Sequence, residues 1–324
     1  MLVDRYRFPS GNPDRRRPLP ELRAWPDILA AHNAFADRES RRLFRALLVY
    51  RYVGPHASAG THNREIATAL ESFMTTERRS EPIGGAPSLL GEPVSRWQTE
   101  YNGQPMTVET IRYGLFWTDI SDQYFLRRNG ALVVPRAGDV VIDCGACMGD
   151  TALKIAAHVG PAGKVFSFDP WPFHAATARR VAERNGLAGT IETYCCGVSD
   201  RSHPNLDHAL TREADRIETS IKPGHQIGSD EPTIAIDDFC RARSLARLDY
   251  IKMDIEGSES DALAGAYDSI ARYRPMLAVC VYHKPADLWE IPLAIKRRFP
   301  FYRLYLGHYS LHGEETVLYC APEA

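Results

Sequence analysis

A chain of 324 residues with 44% apolar and 25% charged residues has the composition of an ordinary globular protein and is long enough to bury a large core. Its formal net charge of −2 gives no reason to expect nucleic acid or an anionic membrane as partner. The first residues lack the apolar core of a signal peptide, and no segment approaches the ~20 apolar residues of a membrane span. We therefore expect a cytoplasmic protein.

The first hundred residues predict a small helical region. Residues 1 to about 20 are rich in Pro and Arg and indicate an extended arm. Apolar residues then recur at helical spacing from Trp25 to Phe35 and again after Asp37, whereas Gly54 to Gly60 breaks the pattern and Ser80 to Gly91 is typical of a loop. We interpret 1–100 as a helical N-terminal region that caps a cleft or forms a homodimer, and 101–324 as one α/β domain.

Strands and helices alternate from Asp139 onward, which favours an α/β fold with a parallel sheet covered on both faces. Strands are predicted at Val140–Cys144, Lys164–Phe168, Ile191–Tyr194, Tyr250–Met253, Met276–Val281, Tyr302–Leu306 and Thr316–Tyr319. Helices are predicted at Thr151–His158, Phe173–Asn185, Ser258–Tyr267 and Leu288–Arg297. The last two strands are too close in sequence for a helical crossover and should form an antiparallel hairpin. The polar stretch from Val198 to Thr233 shows no clear helix, as in functional loops or inserted short strands.

The seven cysteines indicate reduced thiols. Their number is odd, and several lie in apolar runs, such as Cys280. Cys144 and Cys147 form a C-x-x-C pair, but a structural zinc site needs a second pair at similar spacing, which the adjacent Cys195 and Cys196 do not supply. We therefore do not expect zinc or redox chemistry.

A glycine turn follows the first predicted strand of this domain. Asp143 is followed by Gly145-x-x-x-Gly149, and a helix is expected from Thr151. Backbone N–H groups and the helix dipole converge at such a turn, which suits a small anionic or polar ligand, although glycines also serve turns for packing alone. The spacing departs from the G-x-G-x-x-G of dinucleotide folds. The turn resembles the S-adenosylmethionine (SAM) site of class I methyltransferases, and the candidate cofactor-binding residues are Asp143, Gly145, Ala146, Gly149, Asp150 and Thr151.

Acidic residues also end two other strands. Asp169 and Pro170 close the second strand, where a carboxylate accepts hydrogen bonds from both hydroxyls of a ribose. Asp254 and Glu256 follow the strand that contains Lys252, and we assign Glu256 to the cofactor. These two carboxylates could also hold a divalent metal, but two ligands are too few to assert one.

His283 follows the next strand, and histidine is the most frequent general base. We take His283 and Asp254 as the candidate catalytic residues. His308 and His312, near the final hairpin turn, are weaker candidates.

Together these segments resemble the FkbM-type methyltransferase family. The matching stretches are Val141 to Ala146, Gly149 to Thr151, Thr233 to Phe239, Ile251 to Glu259, Tyr282 to Lys284 and Glu315 to Tyr319. Cys147 and Met148 stand where many members carry Asn and Ile. The resemblance implies a SAM-dependent O-methyltransferase that acts on a hydroxyl of a sugar, a glycan or a secondary metabolite.

Two other functions stay open at this point. One is a NAD-dependent oxidoreductase or epimerase, which the glycine spacing and the terminal hairpin disfavour. The other is a non-catalytic partner subunit that binds SAM without transferring its methyl group.

Overall fold

A computed structural model describes residues 23–53, 61–76, 78–86, 88–128, 130–203 and 232–323. The predicted N-terminal arm, the break at Gly54 to Gly60 and most of the polar stretch from Val198 to Thr233 lie outside these ranges. Among the described helices, none combines the length and the apolar composition that crossing a bilayer requires.

The chain begins with helices, as predicted. They are α1 (Trp25–Ala34), α2 (Arg38–Val53) and α3 (Thr61–Thr75). The first two pack on the α/β domain itself: the N–H of Ala36 donates to the carbonyl of Leu304, and the Ser40 hydroxyl accepts from the N–H of Leu306. Phe35 and Phe44, almost fully buried, belong to the same apolar core as Leu304.

Short strands follow these helices, in a segment that the sequence analysis assigned partly to a loop. They are β1 (Ser80–Pro82), β2 (Ser88–Leu89), β3 (Glu92–Pro93), β4 (Ser95–Tyr101), β5 (Gln104–Thr110), β6 (Leu126–Arg128) and β7 (Ala131–Val133). Strands β1, β4 and β5 form an antiparallel sheet. The predicted boundary after residue 100 therefore falls inside the β4–β5 hairpin, and residues 80–101 are not helical. Between β5 and β6, α4 (Arg112–Leu115) continues into a π-helical turn at Phe116–Ile120.

The α/β domain completes the fold. Its elements are β8 (Val140–Cys144), α5 (Asp150–Val159), β9 (Lys164–Phe168), α6 (Pro172–Arg184), β10 (Ile191–Tyr194), β11 (Gly197–Val198), β12 (Thr233–Ile234), α7 (Ile236–Ala242), β13 (Tyr250–Met253), α8 (Glu259–Ala264), α9 (Tyr267–Tyr273), β14 (Met276–Cys280), α10 (Asp287–Arg298), β15 (Tyr302–His308) and β16 (Thr316–Pro322).

The main sheet has the strand order β10-β9-β8-β13-β14-β16-β15. The first five strands are parallel, and β16 runs antiparallel to both neighbours, so the predicted parallel sheet with a C-terminal hairpin is confirmed. From β8 the chain continues to β9 and β10 on one side of the β8–β13 junction, and from β13 it continues to β14 on the other side. At such a switch point the carboxyl ends of the two central strands form a crevice where α/β proteins bind ligands. Val141, Ile142 and Ile251 on these strands are fully buried.

Two helices differ from the prediction. The single helix expected at Ser258–Tyr267 is divided into α8 and α9 around Gly265, where the backbone of Ser199 lies so close that a Cβ would stand 2.2 Å from its carbonyl oxygen. Helix α7 was not predicted, because its seven residues are too few to show a helical period.

The side-chain amide of Asn185 helps to fasten the small sheet to the helix layer, which gives a testable prediction. Asn185, after α6, accepts a hydrogen bond from the N–H of Thr107 at 2.8 Å and donates to its carbonyl at 2.8 Å. We expect Asn185→Ala to lower the free energy of unfolding by about 1–2 kcal/mol, since each such bond contributes about 1 kcal/mol. Urea denaturation measures it. The control is Gln98→Ala, which removes an exposed hydrogen bond that the Thr107 hydroxyl donates to Gln98. Equal losses of unfolding free energy in the two variants would contradict a stabilising role of the Asn185 amide.

Candidate active site

The glycine turn after β8 lies directly against the end of β13. Gly145 has a left-handed backbone with φ +82°, and a Cβ there would stand 1.8 Å from the carbonyl oxygen of Asp254. Gly149, with φ +85°, lies against helix α6, where a Cβ would be 2.9 Å from the Cα of Ala178. Both glycines are therefore required by packing and by conformation, and together they fix the turn beside Asp254.

A buried ammonium group holds this turn in place. Lys252 on β13 is only 2% exposed, and its Nζ lies 3.1 Å from the carboxylate of Asp143. The same Nζ donates to the carbonyls of Cys144 at 3.2 Å and Gly145 at 2.5 Å. Burial alone would lower the pKa of Lys252, but the charges of Asp143 and Asp254 raise it above its ordinary value. The lysine is therefore charged, and it ties the turn to the central strand pair.

Asp143 faces the interior of the protein. Its side chain is fully buried, pairs with Lys252 and lies 3.4 Å from the hydroxyl of Ser167. This geometry gives Asp143 a role in holding the turn, and its predicted contact with a cofactor stays a prediction.

Asp169 lies beside the turn, as the sequence order predicts. Its Oδ2 accepts a hydrogen bond from the N–H of Cys147 at 2.8 Å, and its Oδ1 accepts one from the N–H of Trp171 at 3.0 Å. The ring of His174 is 3.2 Å from Oδ1; burial would lower the pKa of this histidine, but the charge of Asp169 raises it. The carboxylate is thus fixed at the mouth of the turn with acceptor capacity left for a ligand hydroxyl.

The N-terminus of α5 meets the segment that follows the small sheet. No side chain caps this helix end. Asp150 at its first position accepts hydrogen bonds from the hydroxyls of Thr110 at 3.3 Å and Thr118 at 3.2 Å, and also from the N–H of Thr151. Burial raises the pKa of Asp150. The segment 110–118 therefore lies over the predicted cofactor site, a placement that no local sequence pattern indicates.

Asp254, His283 and Glu259 form a charge array at the carboxyl ends of β13 and β14. The Nε2 of His283 lies 3.4 Å from Oδ1 of Asp254, and its Nδ1 lies 2.8 Å from Oε1 of Glu259. Glu259 is fully buried and also accepts the N–H of Ile255 at 2.9 Å. The structure thus brings together the two predicted catalytic residues and adds Glu259, which the sequence analysis left without a role.

The opposite charges in this array shift the pKa values of His283 and Asp254. Burial would lower the pKa of His283, but Glu259 and then Asp254 raise it to about 9. Burial would raise the pKa of Asp254, but the charges of His283 and Lys252 lower it. At neutral pH Asp254 is therefore a carboxylate and His283 is an imidazolium.

Two tyrosines complete the surroundings of Asp254. Tyr124 donates its O–H to Oδ2 of Asp254 at 2.6 Å, and Tyr282 donates to Oδ1 at 3.3 Å. Sequence reasoning missed Tyr124 because it lies 130 residues before its partner. Asp254 remains 24% exposed at the side chain, which leaves it accessible to a ligand.

The residues suited to a metal differ from those predicted. Asp254, Glu259 and His283 each offer one ligand atom within 4.8 Å of the others. The imidazole stands between the two carboxylates, however, with one nitrogen facing each, as expected for a cationic histidine that neutralises them. Glu256, the partner proposed from the sequence, is exposed and has a left-handed backbone with φ +56°. Its predicted cofactor contact stays a prediction.

The weaker histidine candidates lie elsewhere. His308 is buried on β15, where its Nδ1 lies 2.9 Å from the hydroxyl of Thr316. That geometry fits a structural hydrogen bond. The backbone N–H of His312 donates to the hydroxyl of Ser310 within the hairpin turn.

We expect Gly145→Ala to destabilise the fold more than Gly138→Ala. Both glycines have φ +82°, so each substitution carries the cost of a left-handed alanine, about 1–2 kcal/mol. Only at Gly145 must Asp254 also move, and such overpacking adds about 1–3 kcal/mol, whereas a Cβ at Gly138 meets nothing within 4 Å. Urea denaturation of the two variants measures the difference, and equal losses would refute the close contact.

We expect Glu259→Gln to lower the pKa of His283 from about 9 toward the 6.5 of a free histidine. Because the folded pKa is raised, the ion pair stabilises the fold fully below about pH 6.5, and this stabilisation is lost as pH rises through about 9. The variant should lack most of that pH-dependent loss. NMR titration of 15N-labelled histidines and urea denaturation across this range measure both effects, with the exposed Glu290→Gln as control. Unchanged titration of His283 in Glu259→Gln would disprove the assignment.

Comparison with known proteins gives this geometry a family. The "Methyltransferase FkbM domain" model matches residues 143–312, more than half of the chain. The chain is 27% identical to 2-O-methyltransferase NoeI of Sinorhizobium fredii over 150 residues, which are 42% of this chain and 60% of that protein. It is 28% identical to 31-O-demethyl-FK506 methyltransferase FkbM of Streptomyces tacrolimicus over 181 residues, 46% of this chain and 66% of that protein. The chain thus spans less than two thirds of the length of either relative.

The fold agrees with the sequence match. The crystal structure of methyltransferase FkbM from Methylobacillus flagellatus superposes with a TM-score of 0.58 at 20% identity, covering 93% of this chain and 60% of that one. The predicted class I methyltransferase fold is confirmed by this similarity and by the strand order of the sheet. With the family model covering the glycine turn, the acidic strand ends and His283, the chain belongs to the FkbM methyltransferase family.

Proposed function

We propose that this chain is a SAM-dependent O-methyltransferase that methylates a hydroxyl of a sugar, a glycan or a secondary metabolite. Its family membership and the O-methyltransferase names of both relatives support the reaction. The observation that supports the proposal most is the close approach of the glycine turn to the backbone of Asp254, whose carboxylate is 24% exposed and hydrogen-bonded by two tyrosines.

The residues around the turn fit SAM. The N-terminus of α5 suits the carboxylate of the methionine part, and Ala146 and the two glycines let the backbone approach it. Asp169 and Pro170 at the end of β9 suit the ribose. SAM would supply a methyl group on a positively charged sulfur, which needs no further activation.

The protein's own task is to align the acceptor oxygen and to take its proton. Alignment of reactants contributes ~7–11 kcal/mol, and a general base adds a factor of roughly 10²–10⁴. Asp254 is partly exposed, is ionised, and is held by two tyrosines and by His283. We assign it the hydrogen bond from the acceptor hydroxyl. His283, an imidazolium at neutral pH, fixes the carboxylate and is not itself free to accept a proton.

The segment 110–118, which follows the N-terminal region, contacts Asp150 and is proposed to cover the cofactor site. Helices α1 and α2 are the proposed homodimer contact, and Trp25, Leu29 and Val49 on them are large apolar side chains that are about half exposed. Light scattering of the wild type and of Trp25→Ser tests the dimer.

We expect wild-type protein to bind SAM and not NADH, measured by tryptophan fluorescence, and to transfer labelled methyl groups to members of a panel of glycosides and secondary-metabolite alcohols. Asp254→Asn should lower turnover by roughly 10²–10⁴-fold, the usual contribution of a proton acceptor, and leave SAM affinity within a few-fold. His283→Ala should lower turnover less, because it releases Asp254 but does not remove it.

The matched control is Asp261→Asn, an exposed aspartate on α8. Turnover by Asp254→Asn equal to that of Asp261→Asn would remove Asp254 from the mechanism. NADH binding without SAM binding would replace the proposed reaction by that of an oxidoreductase, and SAM binding without transfer to any acceptor would favour a non-catalytic subunit.

A further inference from the structure

A second carboxyl group lies buried on the same side of the site as Asp254. Glu315, just before β16, is 8% exposed, and its Oε2 accepts a hydrogen bond from the side-chain amide of Gln123 at 2.7 Å. Within the described ranges, no Lys, Arg or His nitrogen lies within 4.0 Å of its carboxyl oxygens. A buried carboxyl with a neutral amide partner and no cation is expected to hold its proton.

Two consecutive residues place this group next to Asp254. Gln123 donates to Glu315, and Tyr124, the next residue, donates to Asp254 at 2.6 Å. Gln123 and Tyr124 thus form a bridge between the two carboxyl groups. The backbone at this bridge is strained, with φ +55° at Asp122 and +70° at Tyr124, and Glu315 itself has φ +57°. Left-handed non-glycine residues persist where the surroundings enforce them, and they concentrate at functional sites.

The surroundings do enforce the bridge. The N–H of Tyr124 donates to the hydroxyl of Tyr319 at 3.1 Å, and its carbonyl accepts from the hydroxyl of Tyr250. Both tyrosines are buried strand residues of the main sheet. The position of Tyr124, and with it the spacing of the two carboxyl groups, is therefore set by the core and not by the loop alone.

Several side chains on neighbouring segments of the chain affect the pKa of Glu315. Burial, then the charge of Asp254, and also Glu314 raise the pKa of Glu315, whereas Gln123 and His283 lower it; the net result is a pKa of about 8. Among the neutral groups near Asp254 are the Tyr124 and Tyr282 hydroxyls and the Cys280 thiol. Asp254 has its pKa lowered while that of Glu315 is raised, and such separated carboxyl pairs are typical of sites that move protons.

We propose that Asp254 and Glu315 act as a carboxyl pair that receives the proton of the acceptor hydroxyl. The pair carries no proton when SAM is bound and one proton when the product, S-adenosylhomocysteine, is bound. The inference rests on the proposed methyl transfer. A positive sulfur near the pair favours two carboxylates, because an opposite charge stabilises the ionised form.

The bonds and charges balance in this scheme. The acceptor oxygen forms a bond to the methyl carbon, the carbon–sulfur bond breaks, and its electron pair stays on sulfur. The hydroxyl proton moves to the carboxyl pair. The sulfur loses its positive charge as the pair gains a proton, so the net charge of the buried site does not change.

The test counts protons and needs no acceptor. Isothermal titration calorimetry of the full chain at pH 7 is done with SAM and with S-adenosylhomocysteine, each in buffers of different ionisation enthalpy. We expect SAM to release close to one proton more per site than S-adenosylhomocysteine, because Glu315 starts protonated. Glu315→Gln should abolish this difference and keep SAM affinity within a few-fold, whereas Glu290→Gln should preserve it.

Equal proton release by the two ligands, or a difference that survives in Glu315→Gln, would overturn the inference. Failure of the wild type to bind either ligand would instead overturn the proposed function. Should Glu315→Gln not fold by circular dichroism, Gln123→Leu replaces it. This variant removes the hydrogen bond that stabilises ionised Glu315 and must shift the proton release to higher pH, and an unchanged pH dependence would likewise refute the pair.

Discussion

The buried ammonium of Lys252 is the interaction on which the rest of the site depends. It joins the carboxylate of Asp143 to the carbonyls of Cys144 and Gly145 across the junction of β8 and β13. Removing one partner of a buried ion pair costs about 3–5 kcal/mol because the other charge is left uncompensated. Lys252 thereby links the glycine turn to Asp254, which follows two residues later at the end of the same strand.

Charges alternate along the carboxyl ends of three neighbouring strands. Asp143, Lys252, Asp254, His283 and Glu259 follow one another as acid, base, acid, base, acid. Each ion is buried or nearly so, and each is stabilised by its opposite neighbour, in agreement with the direction of the pKa shifts of Lys252, Asp254 and His283. Glu315 stands outside this alternation with an amide as its partner, and its pKa is raised whereas that of Asp254 is lowered.

The sequence predicted the strands of the main sheet because they are short, largely apolar runs, and such runs are fully buried in parallel sheets. It placed Asp254 and His283 together, because the carboxyl ends of parallel strands meet at one edge. It did not give a role to Glu259, whose partner comes from another strand. It could not find Tyr124 or Gln123, whose contacts are made across 130 and 192 residues, or the break at Gly265, which the backbone of Ser199 causes.

The bridge from Gln123 to Glu315 has a consequence for how the protein is made. The glycine turn is held by Lys252, 107 residues after Gly145, whereas the bridge joins positions 192 residues apart. Contacts of such long range form late in folding, because the chain must lose the entropy of closing a long loop before the contact contributes favourable free energy. During synthesis the glycine turn and Lys252 leave the ribosome before β16 does, so a nascent chain holds Asp254 before it holds Glu315. The two carboxyl groups therefore come together only once β16 has inserted between β14 and β15.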